Sequence, residues 1–279
     1  MRIAARLEIY HNLISRAQRQ GFLVATVITS VVAMFFIDPV AQDPDYHVFA
    51  DSRSWLGIPN ASNVLSNIGF AVVGGLGLWW GMQRSSFAGG LPALRKVYLM
   101  LFFGIFLTAF GSSYYHLSPN NNALVWDRLP MTIAFMAFFA MVLGEQVSEK
   151  LALILLGPLI IFGVFSVAYW HFTEQNDLGD LRLYALVQFL PIILIPLLLI
   201  LFPSPFESRS SVSWAIGFYV LAKVFELFDD EIYRLKLGVA GHALKHLCAA
   251  VGTGCLLWAL NQRRLRKNFR HVSQNRGDN

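Results

Sequence analysis

The sequence predicts an all-α polytopic transmembrane helix bundle, a seven-helix core with one extra helix at its N-terminus. Three observations predict it. Of 279 residues, 56% are hydrophobic and only 14% are charged, where a soluble domain carries about 25% charged residues to solvate its surface. Apolar runs long enough to cross a bilayer recur along the whole chain with short polar gaps. The basic residues collect at the termini and in alternate gaps, as they do around membrane spans.

Eight apolar runs are expected to be helical, at about 21–37, 62–82, 97–116, 124–144, 151–170, 183–202, 212–228 and 239–260. The first follows arginines, as a signal peptide would, but no small-residue cleavage pattern closes it. Asp38 and Pro39 end it abruptly, which reads as an uncleaved anchor. The polar stretch 38–61 is expected to form an outer loop before the second span. Ser118, Pro119, Asn120, Asn121 and Asn122 make a tight turn, so the third and fourth spans run antiparallel. Prolines 191, 196, 203 and 205 suggest a kink in and after the sixth span.

With eight spans both termini share one side. That side receives Arg2, Arg6, Arg16, Arg19, Arg84, Arg95, Lys96, Lys150, Arg209 and the tail's Arg263, Arg264, Arg266, Lys267, Arg270 and Arg276. The other side holds only Arg53, Arg128, Arg182, Arg234 and Lys236. The bias puts both termini in the cytoplasm and the polar helix starts outside, as in a bacterial-type plasma membrane. The net charge of +5 is thereby a membrane-flank signature and not a nucleic-acid footprint. Three regions are expected: 1–50, holding the N-terminus, anchor and start of the outer loop; 51–260, the membrane domain; and 261–279, a basic tail able to touch anionic lipid.

Ionisable groups inside a membrane are costly and tend to mark function. Ser112 and His116 stand four apart near the outer end of the third span, and Asp127 opens the fourth at the same depth. His242 and His246, also four apart, open the last span on the same side and can share one ion. Three imidazoles with a fourth position left open make a catalytic zinc set, since structural zinc sites usually have four protein ligands and often cysteine. Cys248 and Cys255 lie on one helix face elsewhere, where packing explains them. Zinc lowers the pKa of a bound water and polarises carbonyls. Asp127 suits a proton acceptor and Ser112 a donor to an oxyanion. Asn63, Ser66 and Asn67 share a face at the outer start of the second span, suited either to interhelical hydrogen bonds or to supporting the metal ligands. Lys223 and Glu226 are spaced for a local pair, and Asp229, Asp230 and Glu231 read as a solvated turn.

Taken together these motifs resemble the alkaline ceramidases, within the wider CREST superfamily of membrane hydrolases. The resemblance rests on Ser112, His116, Asp127, His242 and His246 in that order, on Asn63 to Asn67 as Asn-x-x-Ser-Asn, and on Asp127 to Met131 as Asp-x-Leu-Pro-Met. It covers about residues 51–260. It implies a seven-helix bundle with Zn2+ on His116, His242 and His246. It also implies cleavage of the amide of ceramide-like N-acyl lipids, with Asp127 and Ser112 acting beside the metal. The first span is additional to that pattern. Where eukaryotic members resemble one another in an acidic calcium site, this chain reads Asp51-Ser52-Arg53-Ser54-Trp55, too poor in carboxylates for calcium. A zinc-containing receptor or lipid-binding protein without turnover is the alternative. Haem ligation ranks lower because two of the histidines sit side by side on one helix, and transport ranks lower for lack of matched broken helices.

Overall fold

The computed structural model describes residues 14–83, 87–208 and 210–266. Arg2, Arg6, Arg84, Arg209, Lys267, Arg270 and Arg276, which contribute to the expected charge bias, lie outside them. The described residues are all-helical apart from loops and isolated bridges. We number the α-helices α1 (Arg16–Met34), α2 (Ala61–Ser66), α3 (Ile68–Met82), α4 (Arg95–Leu117), α5 (Asn121–Gln146), α6 (Glu149–Gln175), α7 (Arg182–Leu201), α8 (Ser210–Leu227), α9 (Asp229–Arg234) and α10 (Gly241–Gln262).

Among the described residues, six stretches are long and apolar enough to cross a membrane: Ala61–Met82, Pro92–Leu117, Asn121–Gln146, Glu149–Gln175, Arg182–Leu201 and Gly241–Gln262. They coincide with six of the eight expected spans. The other two expected spans are helical as α1 and α8. Both are diluted by polar residues, α1 by Arg16, Gln18, Arg19 and Gln20, and α8 by its serines and by Lys223 and Glu226. Local chemistry sets the ends. Ser15 and Gln18 form a capping box on α1, and the Asn120 side chain accepts from Ala123 N at 2.9 Å to start α5.

Counting α2 and α3 as one broken helix, seven helices make the bundle, with the short α9 beside it, and α1 lies outside it against α7. α4 packs between α3 and α5, α10 against α3 and α8, and α5 against α6 and α7. The large core of Phe70, Leu101, Phe102, Ile105, Met141, Ile195 and Leu256 joins these helices. α7 and α8 are not packed side by side. Gln188 Nε2 instead donates to Tyr219 Oη across the gap between them, at 2.8 Å.

The far end of the bundle from the histidines is pinned by an ion pair. The Arg263 guanidinium meets Glu145, with Nη1 2.9 Å from Oε2, and the Tyr98 hydroxyl donates to Oε1 at 3.0 Å. Both charged side chains are almost fully buried, so Arg263 faces inward and is not one of the lipid-facing anchors expected of the tail.

Candidate metal centre

Two helices bring the histidines together. His116 lies on the last turn of α4, and His242 and His246 on the first two turns of α10. Their ligand nitrogens all lie within 4.8 Å of one another, and the rings are 1, 5 and 4% exposed. This is the one such group of three metal-ligating side chains among the described residues.

Two glycines let neighbouring helices close on α10 and α4 beside this group. A Cβ on Gly241 would meet the Phe225 carbonyl at 2.1 Å, and one on Gly111 would meet the Trp126 carbonyl at 2.0 Å. The latter carbonyl has no helical partner, because Pro130 lacks the N–H that would reach it. α4 and α5 therefore close tightly where Ser112 and Asp127 face a common cavity.

The nitrogens fit a metal. His116 Nδ1 and His242 Nε2 are buried with no hydrogen-bond partner, an arrangement that costs energy unless something else satisfies them. His246 is fixed differently. Its Nδ1 is 2.8 Å from Ser66 Oγ, and the Ser66 hydrogen is already given to the Asn63 carbonyl at 2.9 Å. Nδ1–H must therefore donate to Ser66, which leaves the Nε2 lone pair free for a ligand. The three residues can hold a metal ion.

Among the other expected site residues, Ser112 and Asp127 are buried, line the same cavity as His246 and interact with each other. Asp127 does not join the ligand group. Asn67 Nδ2 donates to the Asn63 carbonyl at 2.9 Å, which helps satisfy the backbone at the α2–α3 break. The Asn63 side-chain amide is buried with neither atom partnered.

Several supporting residues have no counterpart in the sequence reading. Phe49 lays its ring against His116 and His242, with centroids 4.7 and 4.6 Å away. His47 bridges the Tyr115 hydroxyl at 3.0 Å and Asn121 Oδ1 at 2.9 Å. Asn60 Nδ2 donates to the His116 carbonyl at 2.8 Å. Asp229 corrects an expectation. It is not simply solvated, because Oδ1 accepts from His242 N at 2.6 Å and Oδ2 from Ala50 N at 3.1 Å. It thus satisfies an unpaired donor at the start of α10, a role that only the chain reversal through α9 makes possible. Asp230 and Glu231 are exposed.

In the Asp51–Trp55 stretch, read as too poor in carboxylates for calcium, Arg53 takes both oxygens of the buried Asp51 carboxylate at 2.8 Å and also donates to the Gly238 carbonyl. The guanidinium holds the Asp51 carboxyl below its usual pKa, with burial opposing.

A cavity of about 310 Å³ runs from His246 into the bundle between α4, α5, α7, α8 and α10. Its upper wall is polar, with Ser112, Asp127, Arg128, Glu226, Lys245 and His246, and its lower wall is apolar, with Leu101, Phe138, Ile195 and Leu256. Glu226 bonds Lys245 Nζ at 2.9 Å and also pairs with Lys223, the local pair expected from spacing.

The family model described as Ceramidase matches residues 57–275. No curated protein matches the chain.

Proposed function

Since the chain belongs to the ceramidase family, whose name implies a lipid amide hydrolase, we propose that it is a Zn2+-dependent integral-membrane enzyme that splits N-acyl lipids into an amine, such as a sphingoid base, and a fatty acid. The observation that carries this reading is the cavity: its polar end is lined by His246, Ser112 and Asp127, and its other end is apolar. An amphiphile fits with its amide at the histidines and its acyl chain below. From Ser112 down to Leu101 on α4 is eleven residues, or about 16 Å of helix. A chain of roughly a dozen extended carbon–carbon bonds spans that depth.

His116, His242 and His246 would hold the ion; zinc suits an all-imidazole set, and when bound it supplies Lewis acidity that polarises the amide carbonyl and acidifies water. Asp127 accepts the proton of the water that adds to the carbonyl carbon, then returns it to the departing nitrogen as the C–N bond breaks. The Ser112 hydroxyl donates to the oxygen on which negative charge grows. Ser66 holds His246 in the tautomer that offers Nε2. The arginine distribution in the sequence supports a bacterial-type plasma membrane with both termini cytoplasmic and the site on the outer side.

Elemental analysis and turnover test this together. Wild type should carry one zinc per chain, and His116→Ala should lose it. Asp127→Asn should keep zinc while its turnover of ceramide or another N-acyl lipid falls about 100-fold or more. Unchanged turnover in that variant would rule out the proton role, and a folded wild type that takes up no zinc would rule out the whole mechanism.

A further inference from the structure

The charged side chains on the cavity wall do not balance. Arg128, Lys223 and Lys245 face it with only Asp127 and Glu226 as carboxylates. Glu226 is shared by both lysines, although one would neutralise it. Arg128 has no carboxylate within ion-pair distance among the described residues. Its Nη2 donates to the neutral Gln42 Oε1 at 2.6 Å, and its guanidinium lies over the Trp170 and Tyr184 rings at 4.1 and 4.6 Å. The side chain is 5% exposed, and Nη1 is buried without a partner. A net positive wall inside a membrane is unfavourable until a counter-charge enters. A metal ion at the histidines would add to the excess.

Position says which part of a substrate would carry the counter-charge. Arg128 adjoins Asp127 and Lys245 adjoins His246 in sequence, so the cations ring the level of the histidines and not the apolar shaft. The acyl chain occupies the shaft, and the amine portion of the substrate then faces the cations. An ammonium or a second cation there would be repelled, and a carboxylate or sulfonate would be attracted and desolvated against Arg128.

Resting on the hydrolase reading, we infer that the preferred substrates are N-acyl amines bearing an anionic group, of the N-acyl amino acid type, with Arg128, Lys223 and Lys245 selecting that group. Water still adds to the amide carbonyl and the products are a fatty acid and an amino acid, so the chemistry is unchanged and only its specificity is assigned.

The test compares N-lauroylglycine with N-lauroylethanolamine, which differ in a carboxylate against a hydroxymethyl group and release the same fatty acid. Both are presented to the zinc-loaded protein in neutral maltoside micelles. Wild type should favour the glycine conjugate in kcat/KM by about tenfold or more. Arg128→Gln should bring the two rates together, and where that variant does not retain zinc, Lys223→Gln should narrow the ratio instead. Equal rates in wild type, or a ratio untouched by the variants, would overturn the assignment while leaving the hydrolase intact. If neither amide is cleaved while ceramide is, the assignment falls and the hydrolase stands; if ceramide is not cleaved either, the hydrolase reading falls. The assignment is then decided by calorimetry on the same two ligands: tighter binding of the glycine conjugate upholds the anion site, and equal binding removes it.

Discussion

At the scale of single residues, the site depends on which atom of each histidine is left free. Ser66 decides this for His246, because its own hydrogen is committed to the Asn63 carbonyl. Ser66→Ala should leave the fold in place and weaken zinc binding about 10- to 100-fold, read by competition with a chromophoric chelator. An unchanged affinity would mean that helix packing alone orients the ring. The gathering of His116, His242 and His246, and the nearness of Ser112 and Asp127 to His246, was legible in the sequence, because helical spacing and the antiparallel turn at 118–122 fix their level. Asp229, Phe49 and Asn60 were not. Each reaches a histidine from a segment distant in sequence, and neither periodicity nor charge marks such a contact. Arg263 misled for a related reason: a basic residue after an apolar run normally faces lipid headgroups, but its partner Glu145 lies 118 residues away.

At the scale of elements, the helices were legible nearly to their ends, since apolar length and cap chemistry are local properties. The loops were legible only as polar segments. What the sequence could not convey is that the 38–51 segment is tied down at many points. Leu181 N donates to the Val40 carbonyl at 2.8 Å, and Gln42 N to Glu174 Oε2 at 3.1 Å. The α6–α7 turn that receives it has its own clamp. Arg182 bonds both oxygens of the buried Asp180 carboxylate at 2.8 and 2.9 Å and also donates to the Ile37 carbonyl at 2.7 Å. The guanidinium holds the Asp180 carboxyl below its usual pKa. A depressed folded-state pKa gives stability that is present above the unfolded value, about 3.9, and is lost as pH falls through the folded value. Asp180→Asn should therefore melt below wild type at pH 7; the gap should begin to shrink below about pH 3.9 and close only below the depressed folded value, where the wild-type carboxyl is also neutral. Thermal unfolding in detergent across that range decides it, and a gap that persists in acid would point to packing as the cause.

At the scale of the whole molecule, α7 and α8 stand apart beside the cavity, bridged by Gln188 and Tyr219. α3, α4, α5 and α10 form continuous contacts, and Glu145 and Arg263 pin the far ends of α5 and α10 together. The 38–51 segment lies over the histidines, with Phe49 against two of their rings. That covering has a consequence for how the protein meters its substrate. Were substrate to enter through the α7–α8 gap beneath this cover, it would arrive from the plane of the bilayer, and the governing concentration would be two-dimensional. Adding inert detergent at fixed total lipid should lower the rate in proportion to the mole fraction of substrate in the micelle, and a short-chain, water-soluble amide should be a poor substrate even at millimolar levels. A rate that follows bulk concentration instead would mean that the cover opens. If the gap is the entrance, the protein responds to how crowded its membrane is with substrate, whatever the total amount in the cell.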